Sequence, residues 1–549
     1  MTFKLRPCLL ALASVILLLP PRAASAARPG PVDAGGSDRF GVTVFAYDPA
    51  VGGVVYAAAG DGILVTRLGR QEKPVVWKLP PAPAGGRRVR CLTLSANGAV
   101  LMAGDDAGHA TVFTAGRGRL AGSSHQLAHP DVITACELSP DGKRGLVVTH
   151  RGVHLIQTGV AGRTLTIPDE RPDARGAWLG VRDEVVVWAA SGFMIWDTSG
   201  KLLASVPMSG LASLGVSQSG DVLAYADGSG EVHVWNVAGR RPGVKFRPAC
   251  SPVTAVAFVP GTRTVLVSGT LPPRPSGDRL VGGTFEAWDY TAGRKLDEVR
   301  AHRPAQIDAD LLPNFPDGPV ALHVPRHGHF FATTGSDADT CVWESRTGKR
   351  VAVIQNARLL SWSGDGHHFL GTRDGETRVF DVGRSFDTEV PPAPLWDTMA
   401  GTPTACFGGI EQSLRDPDAV RRVSDALMEG PPPPEWLDRR VSELAAPLFA
   451  TREQATADLR RYAGTYRDRY LELAAANPSP EVAKRLRAAT SSRYDLSPEE
   501  LRICRAIYFL ERAGGETACG TLKKLLTYPA GSPVNMAAES SLLRAKLSP

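Results

Sequence analysis

The sequence predicts a multidomain β + α chain in which a β-propeller is followed by an all-α domain. Three observations carry this expectation. A three-run module repeats between residues 40 and 392, the third run of most modules ends on an aromatic residue followed by an acid or amide, and the apolar period changes from 2 to 3.6 after Pro391-Pro392-Ala393-Pro394. With 549 residues, 43% of them hydrophobic and 21% charged, the chain has material for two or three domains with cores of their own.

Each module reads as an alternating apolar run, a turn, a second run, a Gly/Asp turn and a third run. The first turn occurs as Asp48-Pro49, Ala96-Asn97-Gly98, Pro140-Asp141-Gly142, Arg182-Asp183, Gln218-Ser219-Gly220, Pro260-Gly261, His327-Gly328 and Asp365-Gly366. That is about eight modules, most at the roughly 40-residue spacing of a four-stranded blade; the first and fourth are degenerate, so seven is the alternative count. The third runs are Ile195-Trp196-Asp197, Val234-Trp235-Asn236, Ala287-Trp288-Asp289, Val342-Trp343-Glu344 and Val379-Phe380-Asp381, with Val112-Phe113 as a weaker copy. Turn aspartates precede these aromatics at Asp61, Asp106, Asp227, Asp337 or Asp339, and Asp374.

In these residues the chain resembles the WD40-repeat propellers, whose blades end a strand on a Trp-Asp-like pair and place an Asp in the turn before it. The resemblance implies a structural hydrogen-bonded network of a loop His, the turn Asp, a Ser or Thr, and the Trp. His129 and His302 are the candidates for the loop His, and most modules lack one. The physics agrees with the likeness: a small meander apolar on both sides cannot bury itself, whereas radial stacking covers both faces and leaves short, protected edges. Closure of the ring is expected to pair a strand near residues 38–44 with the last blade around Thr388 to Val390.

The C-terminal segment carries helix signals. Ser497 is placed to N-cap a helix with Pro498 at its first position and Glu500 at its third, Ile503, Ile507 and Leu510 form one stripe, and Gly514-Gly515 ends it. Ser479 with Pro480, and Thr451 with Gln454, repeat the device, while Thr402 to Gly409 departs from a helical pattern, so a break is expected there. In Arg452 to Ala455, Ser479 to Val482 and Leu501 to Arg512 this half resembles the HEAT-like helical module that follows the propeller in many bacterial WD-repeat proteins. The domain reading is thus 1–26 a cleaved signal, 27–39 an exposed segment, 40–392 the propeller, 393–434 a linker with a first helical region, and 435–549 the HEAT-like domain.

Residues 1–26 read as an export signal: Lys4 and Arg6, an apolar run from Cys8 to Leu19, and Ala24-Ser25-Ala26 as a small-x-small cleavage site. The run is short of the roughly 20 apolar residues that span a bilayer, so a mature periplasmic or extracellular chain without membrane insertion is expected. Its first residue should be Ala27, which N-terminal sequencing of the exported protein reads directly; Met1 retained on a membrane-embedded product would overturn the export reading. The net charge of +6 is spread over interleaved acids and bases, and no nucleic-acid partner is expected. Seven cysteines remain after Cys8, an odd and widely spaced set that does not form a disulfide framework.

No catalytic, cofactor or metal residues are assigned. His323, His327, His329, His367 and His368 cluster in sequence, but His329 and His367 occupy the same solvent-facing hairpin position in successive modules, which argues against a metal. Neither a nucleophile elbow nor paired carboxylates of a propeller hydrolase are visible in the sequence. The expected function is therefore a protein–protein interaction scaffold with no catalysis; the alternative is a secreted propeller enzyme, a hydrolase or oxidoreductase with scattered active-site residues. Two long insertions, Leu271 to Gly283 and Arg303 to Pro319, should emerge on one face, where Arg274, Arg279, Asp308, Asp310 and Phe315 offer both signs of charge and an aromatic anchor to a partner protein.

Overall fold

The computed structural model describes residues 32–33, 43–46, 54–59, 62–67, 75–78, 88–95, 99–116, 119–126, 131–139, 142–158, 164–168, 175–178, 183–269, 284–302, 320–325, 328–335, 337, 339–363, 366–373, 376–386, 394–427, 430–490 and 496–547. These fall into two compact units, one running up to Val342 together with Val353–Val382, the other made of Trp343–Ala352 with Gly383–Lys546.

In the first unit the β-branched runs form short strands. Among the described residues they pair into eight four-stranded sheets. Seven are meanders of consecutive strands, and the eighth joins the last three strands of the series to one from the start of the chain. In the third sheet, for example, Arg144–Thr149 pairs antiparallel with Ile133–Leu138 on one side and Gly152–Gln157 on the other.

The period of 2 decides which neighbour each side chain meets. Val147 packs toward the second sheet, in a cluster with Met102 and Val112, whereas Leu146 and Val148 pack toward the fourth with Val185 and Val187. Val186, between those two valines, turns the other way and joins Leu223, Tyr225 and Trp235 of the fifth sheet. Further clusters lie between the first and second sheets and between the fifth and sixth. Each such sheet is therefore buried on both faces by its neighbours, and the unit is a β-propeller.

The closing strand lies earlier than expected. Val32–Asp33 supplies it, with Val32 opposite Val379 and Asp33 opposite Arg378. Thr43–Ala46 is instead the first strand of the first sheet and pairs with Val54–Ala59 across a short connection, a hairpin whose closure costs less chain entropy than a return to the other end of the sequence. Thr388 to Val390 lie outside the described residues.

The second unit is helical apart from Trp343–Ala352. Helices Pro434–Glu443, Phe449–Arg460, Arg467–Ala476 and Pro480–Ala489 bury one cluster, including Leu437, Leu459, Tyr470, Val482 and Leu486. The capping box on helix Pro498–Ala513 is formed as read, and Gly514 stops that helix at φ 64°, where an L side chain is strained. Ser479 caps its helix through the amide of Val482. Two local expectations are corrected. Thr451 lies inside a helix that already begins at Phe449, and Thr402 to Gly409 is not a break: Thr402 caps a continuous helix, Pro403–Ser413. Gly409 serves close packing, since a Cβ there would come within 2.9 Å of the Thr398 methyl carbon.

Candidate functional site

The sixth sheet fixes the roots of both long insertions. Gly269, Thr284 and Arg300 stand opposite one another across its second, third and fourth strands, so residues 270–283 and 301–319 connect strand ends that share one end of that sheet. An even number of reversals separates the two connections, as the meander order requires. Arg274, Arg279, Asp308, Asp310 and Phe315 lie outside the described residues.

The repeat residues occupy equivalent places. Trp196, Trp235, Trp288, Trp343 and Phe380 all lie on the third strand from the inner edge of their sheets. Asp197 and Asp289 close the turn after that strand: Asp197 accepts from the amide and hydroxyl of Ser199 at 2.9 and 2.6 Å, and Asp289 from those of Thr291 at 2.9 and 2.7 Å. The Ser199 hydroxyl, first among its partners, holds the Asp197 carboxyl below its usual range. Asp106 accepts from the Arg88 amide, while its neighbour Asp105 closes the turn by accepting from the amides of Ala107 and His109. His368 lies 3.7 Å from Asp381. Asp61, Asp374 and His129 lie outside the described residues.

Of the expected His networks, the His–Asp–Thr contacts of the one at His302 are formed. Its Nδ1 is 2.8 Å from Asp337 and its Nε2 is 2.9 Å from the Thr333 hydroxyl. Between Asp337 and Asp339 the structure thus selects the former, and Asp339 instead accepts from the Asn356 amide. Burial outweighs the nearby carboxylates and lowers the His302 pKa.

Of the histidines weighed as metal ligands, His327 lies outside the described residues, and His367, expected to face solvent, is buried. His323 bonds to Thr334, and the rings of His329 and His367 stack with centroids 6.5 Å apart. Among the described residues, the metal-type ligands that converge are Asp227, Glu231 and His233, whose ligand atoms lie within 4.8 Å of one another. They sit on the second-to-third turn of the fifth sheet, at the end marked by the row Ala226, Val232 and Phe246. This corresponds to the end of the sixth sheet from which the long connections leave. Asp227 was legible as a repeat aspartate; Glu231 and His233 were not singled out, although the spacing Asp-x-x-x-Glu-x-His was there to be seen. Burial pushes the Asp227 carboxyl up, but hydrogen bonds from Ser229, His233 and the Glu231 amide hold it at about 2.

At the opposite ends of the inner strands, a cavity of about 220 Å³ is lined by Glu137, Gln218, Phe258 and Pro325, among others. Gln218 there accepts from the Gly261 amide at 3.0 Å and ties the fifth sheet to the sixth. The volume is below the roughly 300–1,000 Å³ of small-molecule pockets.

No protein-family model matches the chain, and no curated protein matches it. Among solved structures it is similar to the computationally designed Ika8 protein, at 16% sequence identity, with 62% of this chain and 96% of that chain covered and a TM-score of 0.46. That likeness carries no argument about function.

Proposed function

We propose that this chain is an exported scaffold of the WD-repeat type that holds another protein on the propeller face from which its two long connections emerge. The observation that carries the reading is the row Gly269, Thr284 and Arg300, which sets the roots of both connections at one end of the sixth sheet. Long connections on a rigid sheet scaffold are where binding residues concentrate, and Arg274, Arg279, Asp308, Asp310 and Phe315 combine both charges with an aromatic anchor. The aromatic–acid strand ends and the His302–Asp337–Thr333 network support the WD-repeat type. The N-terminal apolar run and Ala24-Ser25-Ala26 support export.

The test is affinity capture from an envelope fraction with the mature chain, followed by the double variant Arg279→Ala/Phe315→Ala. Its capture of the partner is expected to fall at least about tenfold, the effect of losing one or two interface anchors, with an unchanged thermal melt. Undiminished capture would remove these connections from consideration.

A further inference from the structure

We propose that Asp227, Glu231 and His233 form a binding site for a zinc-class divalent cation, with a solvent-accessible position completing its coordination. The inference is independent of the scaffold reading and starts from geometry. His233 Nε2 is 2.8 Å from Asp227 Oδ2 and 3.6 Å from Glu231 Oε2. Ligands about 2.0–2.1 Å from a tetrahedral ion stand about 3.3 Å from one another. Both contacts of His233 lie within about half an ångström of that spacing, and the ligand atoms of all three residues lie within 4.8 Å of one another.

The frame is organised around the unused atoms. Asp227 Oδ1 is saturated by the Ser229 amide at 2.9 Å, the Ser229 hydroxyl at 2.7 Å and the Glu231 amide at 3.1 Å, which fixes the carboxylate and directs Oδ2 toward His233. The Tyr225 ring lies flat on the imidazole, with centroids 5.1 Å apart and planes 10° apart, and Tyr225 is the cross-strand partner of His233. The imidazole plane is thereby set by packing, which holds the rotamer of the ring. In the second sheet the equivalent turn, Asp105 to Phe113, places His109 where Glu231 stands and Thr111 where His233 stands, so the hydrogen-bonded turn does not itself require this ligand set.

Side-chain exposures of 26% for His233, 24% for Asp227 and 22% for Glu231 leave the site reachable from solvent. Two carboxylates and one neutral imidazole balance a divalent charge, and the imidazole favours zinc-class ions over calcium or magnesium. One cation already competes: Lys245 Nζ is 3.1 Å from Glu231 Oε2, on a side chain that is 65% exposed. An ion entering the cluster would displace this ammonium into water.

The experiment is a Zn²⁺ titration of the full mature chain after chelator treatment, against a chromophoric competitor, with Ca²⁺ and Mg²⁺ as comparison ions. One equivalent is expected to be lost, or weakened at least about tenfold, in His233→Ala and separately in Glu231→Gln, the loss of one metal ligand being at least as costly as that of an outer-shell partner. Lys245→Ala is expected to tighten the same equivalent, an outcome a purely structural turn would not give. Glu231→Gln is nearly isosteric, and its unchanged melting curve in the absence of metal would show that the fold persists if His233→Ala does not fold. Zinc binding equal in wild type, Glu231→Gln and Lys245→Ala, or no zinc binding by wild type, would overturn the site.

Discussion

Replacing Arg505 with Met is expected to destabilise the helical unit by about 3–5 kcal/mol, the cost of leaving one member of a buried ion pair without its partner. Arg505 lies on helix Pro498–Ala513, and its side chain and that of Glu344 are each only 2% exposed. The pair is bidentate, with Nε to Oε1 at 2.7 Å and Nη2 to Oε2 at 2.9 Å, while Nη1 donates to the carbonyls of Met399 at 2.9 Å and Gly401 at 2.8 Å. Four bonds from one guanidinium thus hold the segment Trp343–Ala352, the turn after helix Leu395–Thr398 and helix Pro498–Ala513 within a single compact unit. The substitution strands the Glu344 carboxylate in the interior and leaves two carbonyls unpaired. Hydrogen exchange of peptides from helix Pro498–Ala513 measures the effect, which should appear as a loss of protection of roughly 10²- to 5 × 10³-fold. The double variant Glu344→Leu/Arg505→Met, which removes both charges, should recover much of it. Equal loss in the single and double variants would assign the stability to the two carbonyl contacts instead.

Replacing Glu500 with Ala is expected to cost on the order of 4 kcal/mol, because several buried donors lose their acceptor at once. The fully buried carboxylate accepts from the amides of Ser497 at 2.8 Å, Gly464 at 2.9 Å and Thr465 at 2.6 Å, and from the Thr465 hydroxyl at 2.6 Å. One residue thereby completes its own capping box and ties helix Pro498–Ala513 to the turn after helix Phe449–Arg460. Burial raises its pKa above the ordinary 4.5, with the hydrogen bonds from Ser497, Thr465 and Gly464 opposing that rise only in part. In the window between the two values the unfolded chain has already lost the proton that the folded chain keeps. The Glu500 contribution to stability is therefore fully present below pH 4.5 and declines as pH rises through the folded value. Glu500→Gln should abolish that component of the pH profile, read by the same exchange experiment from pH 4 to 8. An identical pH profile in the variant would exclude Glu500 as its source.

Elements whose partners are local were legible. Ser497 and Glu500 stand three residues apart, so their capping box is a property of one turn. The continuous apolar run within Glu184–Ala189 identifies a strand buried on both faces without regard to which sheets flank it. Where the reading failed, the deciding contact was distant or specific. The two glycines in Pro403–Ser413 lower helix propensity, and only the close approach to Thr398 reveals why Gly409 is there. Closure by Val32–Asp33 depends on a strand more than 340 residues away, and a two-residue strand carries no periodicity of its own.

The candidate sites divide in the same way. The long insertions announce themselves by length and composition, and the meander rule alone places their roots on one side. Glu231 and His233 stand two residues apart, the spacing that shares one face of a strand, but Asp227 lies at the far side of the turn, so its convergence with them depends on how the turn folds it back over the next strand.

By itself the sequence determined the repeat, the strand and helix periods, the change of period after residue 394 and the turn and cap residues, because each rests on interactions a few residues long. Only the tertiary structure decided which strand closes the ring, which of two aspartates pairs with His302, and that Arg505 and Glu500 find their partners 161 and 36 residues away. Burial sets the worth of those contacts, and burial is a property of the packed chain: the same arginine in water would gain little from a carboxylate that, in the interior, it cannot be without.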